Sequence, residues 1–283
     1  MGVRMKTQLP KEVEEQLAAI EKDGELLPSE AAVLHETVRY EGIRVLERDG
    51  YALLLSALAA GFAMGAGFIA KSVIAMHIDD PNVSFLLSGF GYTLGYVIII
   101  LSNQMLFTEN TLTAVLPFMS HPSKRTLYRI MRLWVIVLCG NLLGVVAFTL
   151  SLIYLPDFSV DVRAHLPALG HHIMENSPYQ MLVKGVFAGW LMAALVWMLP
   201  NLGDNKIWGI IFITYIIALG EFTHIIAGSS EVLYLVFTGH EHWSHYFYPF
   251  AIPTLIGKIF GGTILFGLIC HGEIRSDMPN NRF

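Results

Sequence analysis

Six long apolar stretches constrain the fold of this chain more than any other feature of its sequence. A helix needs about 20 mainly apolar residues, each rising ~1.5 Å, to cross the hydrocarbon core of a bilayer. Charged residues make up only 14% of the 283 residues, against about 25% in a soluble domain. The sequence therefore predicts an all-α membrane protein with six transmembrane helices, at residues 51–76, 84–105, 129–153, 180–199, 207–238 and 247–271.

Polar sequence flanks these stretches on both sides. Within the leading segment, residues 29–48 are expected to form an amphipathic helix with Leu34, Val38 and Leu46 on one face. We therefore expect three parts: a cytoplasmic arm (1–50), a six-helix transmembrane channel domain (51–272) and a cytoplasmic tail (273–283).

Lysine and arginine residues are distributed unevenly between the two sides of the predicted spans. The arm carries seven, and others lie in the connections between spans two and three and between spans four and five. On the opposite side, the connections carry only Arg163. Because these residues are enriched in cytoplasmic loops, both termini are expected to be cytoplasmic.

The two halves of the apolar region resemble each other. "LFTEN" (106–110), "GNLLG" (140–144) and "LAAGFAMG" (58–65) match "EFTHI" (221–225), "GKIFGG" (257–262) and "VFAGWLMA" (186–193). Three spans per half is an odd number, so the halves are expected to be inverted relative to each other. The predicted fold is an inverted repeat of three plus three helices in which the second and fifth are broken. Their downstream halves are expected to begin near Asn110 and Ile225.

One histidine, His224, lies well inside the fifth apolar stretch. Ionisable residues inside a membrane are costly and usually face a water-filled cavity or a partner. Backbone groups freed by a break in a helix also need such a cavity or buried partners. We therefore expect His224 to line a pore near Thr108 and Thr223, which occupy equivalent places in the two halves.

The "LFT" in span two, the histidine followed by "IIAGS" in span five and the paired "GN" and "GG" helices resemble the formate/nitrite transporter family. The charged arm with "ERDG" resembles its YfdC-like branch. The resemblance implies an aquaporin-like protomer, assembled as a homopentamer in the bacterial inner membrane, with one pore per protomer. It also implies a cytoplasmic constriction at Leu106 and Phe107, and a hydrogen-bonding partnership between Thr108 and His224.

A second constriction follows from the same resemblance, at Tyr92, Tyr96 and Ile217. The implied function is a channel or transporter for small monovalent weak-acid anions of the formate, nitrite or hydrosulfide class. A naked anion would pay a large desolvation cost at each apolar ring, whereas a proton from the central histidine, or attraction to it, would ease passage. The expected partners are this small anion and the lipid bilayer.

Three charged residues depart from the pattern that the resemblance implies. Glu109 follows the threonine of "LFT", Glu221 precedes the histidine by three positions, and Lys258 replaces an asparagine in span six. Glu109 could pair with His224 or with Lys258. Lys258 could instead neutralise Glu221, or simply replace an amide that packs between helices. These charges leave open the alternative of the same fold conducting a cation or a neutral solute.

A membrane metalloenzyme is an alternative from another class. The stretches "HHIME" (171–175) and "GHEHWSH" (239–245), with His165, are rich in potential ligands. Their spacing matches no helical metal motif, and the charge rule places them in external loops. The expectation is accordingly a protein that is not an enzyme, with no metal, no cofactor and no nucleic-acid partner.

Overall fold

The computed structural model describes residues 29–155, 160–270 and 272, together with residues 11, 14 and 15. The predicted tail, residues 273–283, and most of the arm before Ser29 lie outside these residues. The described secondary structure is helical. In chain order the α-helices are α1 (Glu30–Glu47), α2 (Gly50–Met76), α3 (Pro81–Leu101), α4 (Asn110–Thr113), α5 (Leu116–Ser120), α6 (Lys124–Tyr154), α7 (Val160–Met174), α8 (Pro178–Met198), α9 (Lys206–Leu219), α10 (Ile225–Phe237), α11 (Trp243–His245) and α12 (Ile252–Ile259).

Five helical segments of the described chain are long and apolar enough to cross a membrane. One of them, Pro178–Leu219, has 42 residues, about twice the length that a bilayer requires. It contains α8 and α9, which are joined by a 3-10 turn in which Gly203 has φ 50°. A sixth, shorter apolar helix is α10. Large apolar side chains stay exposed on the long helices, as expected for lipid contact, among them Leu55, Phe62, Leu94 and Leu143.

Glycines allow close helix crossings at matching places in the two halves. A Cβ at Gly144 of α6 would lie 2.1 Å from the carbonyl oxygen of Leu58 in α2. A Cβ at Gly261, just after α12, would lie 2.0 Å from the carbonyl oxygen of Val186 in α8. Small residues permit such approaches between membrane helices. The matched sequence motifs thus make the same kind of contact in each half.

The helix α1 packs against α4 and α5. Ser29 caps it by accepting a hydrogen bond from the Ala32 N–H at 3.3 Å, and Leu34, Val38 and Leu46 are buried. Burial raises the pKa of Glu36, but interactions with His35 and Arg39 outweigh it, so that the pKa of this carboxyl is lowered. The helix approaches α4 closely at Gly42, where a Cβ would lie 2.1 Å from the Thr113 carbonyl oxygen.

Candidate functional site

Two interruptions of helical structure define the candidate site. The first runs from the end of α3 at Leu101 to the start of α4 at Asn110, and the second from the end of α9 at Leu219 to the start of α10 at Ile225. These starts are the two residues at which the sequence predicts downstream half-helices. Hereafter the non-helical segments are called the first break (102–109) and the second break (220–224).

Both breaks begin with the same turn. Asn103 and Glu221 have left-handed backbones, with φ 52° and 49°. The next N–H in each break, of Gln104 and of Phe222, bonds back to a carbonyl five residues earlier, at 3.0 Å in both cases. This is the hydrogen-bond pattern of a Schellman helix end, and it satisfies backbone groups that would otherwise be unpaired at membrane depth.

The first break is anchored by Asn141 of α6, a residue whose role the sequence did not reveal. Its Oδ1 accepts from the Phe107 N–H at 2.8 Å. Its Nδ2 donates to the carbonyl oxygens of Ala57 at 2.7 Å and Met105 at 2.9 Å. The signal that could have identified it is a lone amide among the small residues of "GNLLG". One buried amide thus ties the first break to α2.

Replacing Asn141 by leucine keeps the branched shape of the side chain but leaves the Phe107 N–H and the Met105 carbonyl without their partner. Each unpaired buried polar group costs about 1–3 kcal/mol. We therefore expect a lower melting temperature in detergent and slower solute flux. The control is Asn201→Leu, at an exposed position. Equal melting temperatures for the two variants would contradict the anchoring role.

His224 is the N-cap residue of α10, with an extended backbone at φ −127° and ψ 127°. Its side chain is buried, and none of the described residues hydrogen-bonds to either ring nitrogen. The ring contacts Tyr96 edge-on, with centroids 5.2 Å apart. An imidazole in this position is able to bond a small polar solute, since its hydrogen-bonding capacity is unused by the described chain.

The threonines of the two breaks differ in their contacts. The Thr223 hydroxyl donates to the Met181 carbonyl oxygen at 2.8 Å. The Thr108 hydroxyl is fully buried and has no hydrogen-bond partner within the described chain. Sequence symmetry placed both at the pore centre, but only Thr108 keeps a hydroxyl that is available to a solute.

The residues predicted for the two constrictions are buried, except for Tyr92, which is partly exposed. Leu106 and Phe107 lie in the first break, and the Phe107 ring packs edge-on against Trp134, with centroids 6.1 Å apart. The hydroxyls of Tyr92 and Tyr96 of α3 are hydrogen-bonded to each other at 2.8 Å. Ile217 of α9 is buried as well. The contact of Tyr96 with His224 brings the predicted second constriction next to the imidazole.

Lys258 of α12 is fully buried and donates to the Ala188 carbonyl oxygen at 3.3 Å. It lies close enough to Glu109 and His224 to interact electrostatically with both. One carboxyl oxygen of Glu109 is buried without a hydrogen-bond partner in the described chain. A carboxyl group, an amine and the imidazole therefore occupy one region of the interior, where an unpaired charge would be costly.

Glu221 has other partners. Its carboxylate contacts His172 Nε2 at 2.6 Å and Lys184 Nζ at 3.6 Å, and the side chain is 38% exposed. The sequence suggested neutralisation by Lys258 as one possibility, but the contacts of Glu221 are with groups on α7 and α8. Glu221 is thus partly exposed to solvent and lies outside the buried region around His224.

The histidine-rich stretches do not assemble a metal centre. Within the part of the chain that the structure describes, no group of three or more His, Cys, Asp and Glu side chains is placed to hold a metal ion. Instead, His245 contacts Glu241 at 2.6 Å. The metalloenzyme alternative therefore has no support from the geometry.

The long apolar helices make this chain a multi-pass membrane protein. A family model described as "Formate/nitrite transporter" matches residues 32–272. The inner membrane protein YfdC of Escherichia coli (strain K12) is 47% identical over 263 residues, covering 93% of this chain and 85% of YfdC. The chain therefore belongs to the formate/nitrite transporter family.

Two further comparisons extend this result. The formate channel FocB of Escherichia coli (strain K12) is 25% identical over 260 residues, covering 81% of this chain and 89% of FocB. Among solved structures, a pentameric formate channel with formate bound aligns with a TM-score of 0.70 at 21% identity, covering 80% of this chain and 98% of that one. The structural likeness concerns the fold.

Proposed function

We propose that this protein conducts small monovalent weak-acid anions, of the formate, nitrite or hydrosulfide class, across the membrane. The observation that carries the proposal is the pair of unused polar groups, the Thr108 hydroxyl and the His224 imidazole, buried at two helix breaks. Buried polar groups are normally hydrogen-bonded. A small polar solute passing between them would supply the missing partner.

The proposed topology is six spans in an aquaporin-like inverted repeat of three plus three, with both termini cytoplasmic. It is supported by the identical turns that open the two breaks and by the matching glycine crossings. Residues 51–272 would form the channel domain, preceded by a cytoplasmic arm (1–50) and followed by a cytoplasmic tail (273–283). The bacterial inner membrane is the proposed location, since YfdC is an inner membrane protein.

A homopentamer is the proposed assembly, because a structural neighbour is a pentameric formate channel. The exposed apolar faces of the long helices provide surface for both lipid and neighbouring protomers. No enzymatic step is proposed. The chain would act by positioning polar groups along a route through each protomer.

Selection would depend on two narrow apolar rings around a polar chamber. Leu106 and Phe107 would form the cytoplasmic ring, and Tyr92, Tyr96 and Ile217 the other. A naked charge pays a desolvation cost at each ring. In the chamber, Thr108 and His224 would replace lost water contacts. The buried Lys258 would offset Glu109, so that Glu109 does not repel an anion.

The test is solute flux into liposomes that contain the purified protein, with formate, nitrite, hydrosulfide, chloride and potassium compared at two pH values. We expect the weak-acid anions to enter faster than chloride and potassium. Liposomes without protein give the background. Potassium entering faster than formate would favour a cation channel and contradict the proposal.

Phe107→Ala is expected to widen the cytoplasmic ring. Loss of the aromatic ring removes its packing against Trp134 and opens space at a fully buried position. We therefore expect larger monocarboxylates, such as lactate, to gain flux relative to formate. The matched control is Phe187→Ala, whose ring instead stacks on Phe222. An unchanged lactate-to-formate ratio in Phe107→Ala would contradict the gate assignment.

A further inference from the structure

A second acid and a second base lie inside the described structure, in addition to Glu109 and Lys258. Lys71 of α2 places its Nζ 3.3 Å and 3.5 Å from the two carboxylate oxygens of Glu231 in α10. The Glu231 side chain is only 4% exposed, whereas that of Lys71 is 22% exposed. The buried partner is therefore the acid, and the base has the greater contact with solvent.

This pair is fixed in place by close backbone packing. A Cβ at Gly91 of α3 would lie 2.5 Å from the Lys71 backbone nitrogen, and a Cβ at Gly170 of α7 would lie 2.7 Å from the Glu231 carbonyl oxygen. Four helices thus meet around the two charges. The backbones that carry the two side chains are therefore held in place.

The pair lies beside the tyrosines, because Gly91, which packs against the Lys71 backbone, immediately precedes Tyr92. Glu231 also lies close enough to Tyr92 and Tyr96 to interact electrostatically with both hydroxyls. Tyr96 is in turn the ring that contacts His224. His172 of α7 also lies within electrostatic range of Glu231. A change of charge at the pair would therefore be felt at the tyrosines, because fields are weakly screened in an interior of low dielectric.

We propose that Lys71 and Glu231 form a compensated ion pair that sets the electrostatic field at the tyrosine constriction and so determines ion specificity. This inference rests on the proposed function as a route for small ions. Lys71 would favour anions near the tyrosines, and Glu231 would limit that attraction so that an anion is not trapped. Removing either charge should leave the other one uncompensated.

The test removes the positive charge and the negative charge of the pair separately, and then both together. Lys71→Met, Glu231→Gln and the double variant are reconstituted in liposomes, and formate and potassium flux are measured in each. We expect the formate-to-potassium ratio to fall about fivefold in Lys71→Met and to rise about fivefold in Glu231→Gln, because the uncompensated charge changes sign. In the double variant the ratio should return toward that of the wild type.

An exposed ion pair supplies the matched control. Arg44 and Glu41 of α1 lie 3.0 Å apart with side chains 67% and 53% exposed, so Arg44→Met and Glu41→Gln should not change the ratio. Size-exclusion chromatography reports assembly of every variant.

Four results would be decisive against the inference or its basis. Equal shifts in the same direction for both single variants, or unchanged ratios, would overturn the role of the pair in specificity. Assembly that is lost in both single variants and restored in the double variant would show that the pair stabilises the structure. That result would also overturn the role of the pair in specificity. A wild type that conducts no ion would overturn the proposed function, and with it this inference.

Discussion

Replacing His224 by alanine is expected to reduce formate flux by about 10- to 100-fold, the equivalent of one hydrogen bond to a charged group at about 1.5–3 kcal/mol. The imidazole is buried with both ring nitrogens unused by the described chain, so few native bonds are lost in the variant. The flux that remains should vary less with pH, since one titratable group has been removed from a region that still holds Glu109 and Lys258.

Stopped-flow measurement of formate entry at several pH values checks this expectation. His165→Ala is the control, because His165 is exposed on α7. Wild-type flux at every pH in His224→Ala would remove the imidazole from the mechanism. Melting temperatures of both variants show whether lost flux reflects lost folding.

Lys258→Asn is expected to have the second large effect. Asn141 occupies the matching position in the first half of the chain, so the substitution puts the same residue type at both positions. An amide can still bond to the Ala188 carbonyl, but Glu109 then loses the buried cation close to it. A buried carboxylate without a nearby cation is costly. We expect lower stability and about tenfold slower formate entry, since an uncompensated acid disfavours anions.

The measurement is formate flux in Lys258→Asn, alone and combined with Glu109→Gln. Removing the acid as well should restore a substantial part of the flux, because no buried charge is then unpaired. Lys184→Asn is the control, since Lys184 pairs with the partly exposed Glu221. Failure of Glu109→Gln to improve flux in the Lys258→Asn background would contradict the compensation.

Much of the local architecture could be predicted from residue type and spacing. The starts of α4 at Asn110 and α10 at Ile225 coincide with the predicted half-helices, because polar residues inside long apolar stretches signal a break. Family membership was predicted from the same motifs and is confirmed by the family model. The expected count of six spans and the inversion of the halves stay predictions.

Side-chain pairing could not be predicted in the same way. Lys71 and Glu231 are 160 positions apart, and only tertiary packing brings them together. The rule that drew attention to His224, the cost of an ionisable group in a membrane, applies equally to Glu231 and could have identified it. The Thr223 bond to Met181 also depends on how α8 packs against the second break, which spacing does not specify.

The proposed route requires Thr108 to face the His224 imidazole across the path of the solute. Thr108→Cys should create a thiolate–imidazole pair that binds Cd²⁺, a soft metal suited to these ligands. Thr223→Cys is the matched control, because that hydroxyl points to the Met181 carbonyl. The measurement is formate flux in liposomes with and without micromolar Cd²⁺. We expect Cd²⁺ to block flux in Thr108→Cys but not in Thr223→Cys or the wild type. An active Thr108→Cys variant that is insensitive to Cd²⁺ would contradict the proposed facing of Thr108 and His224.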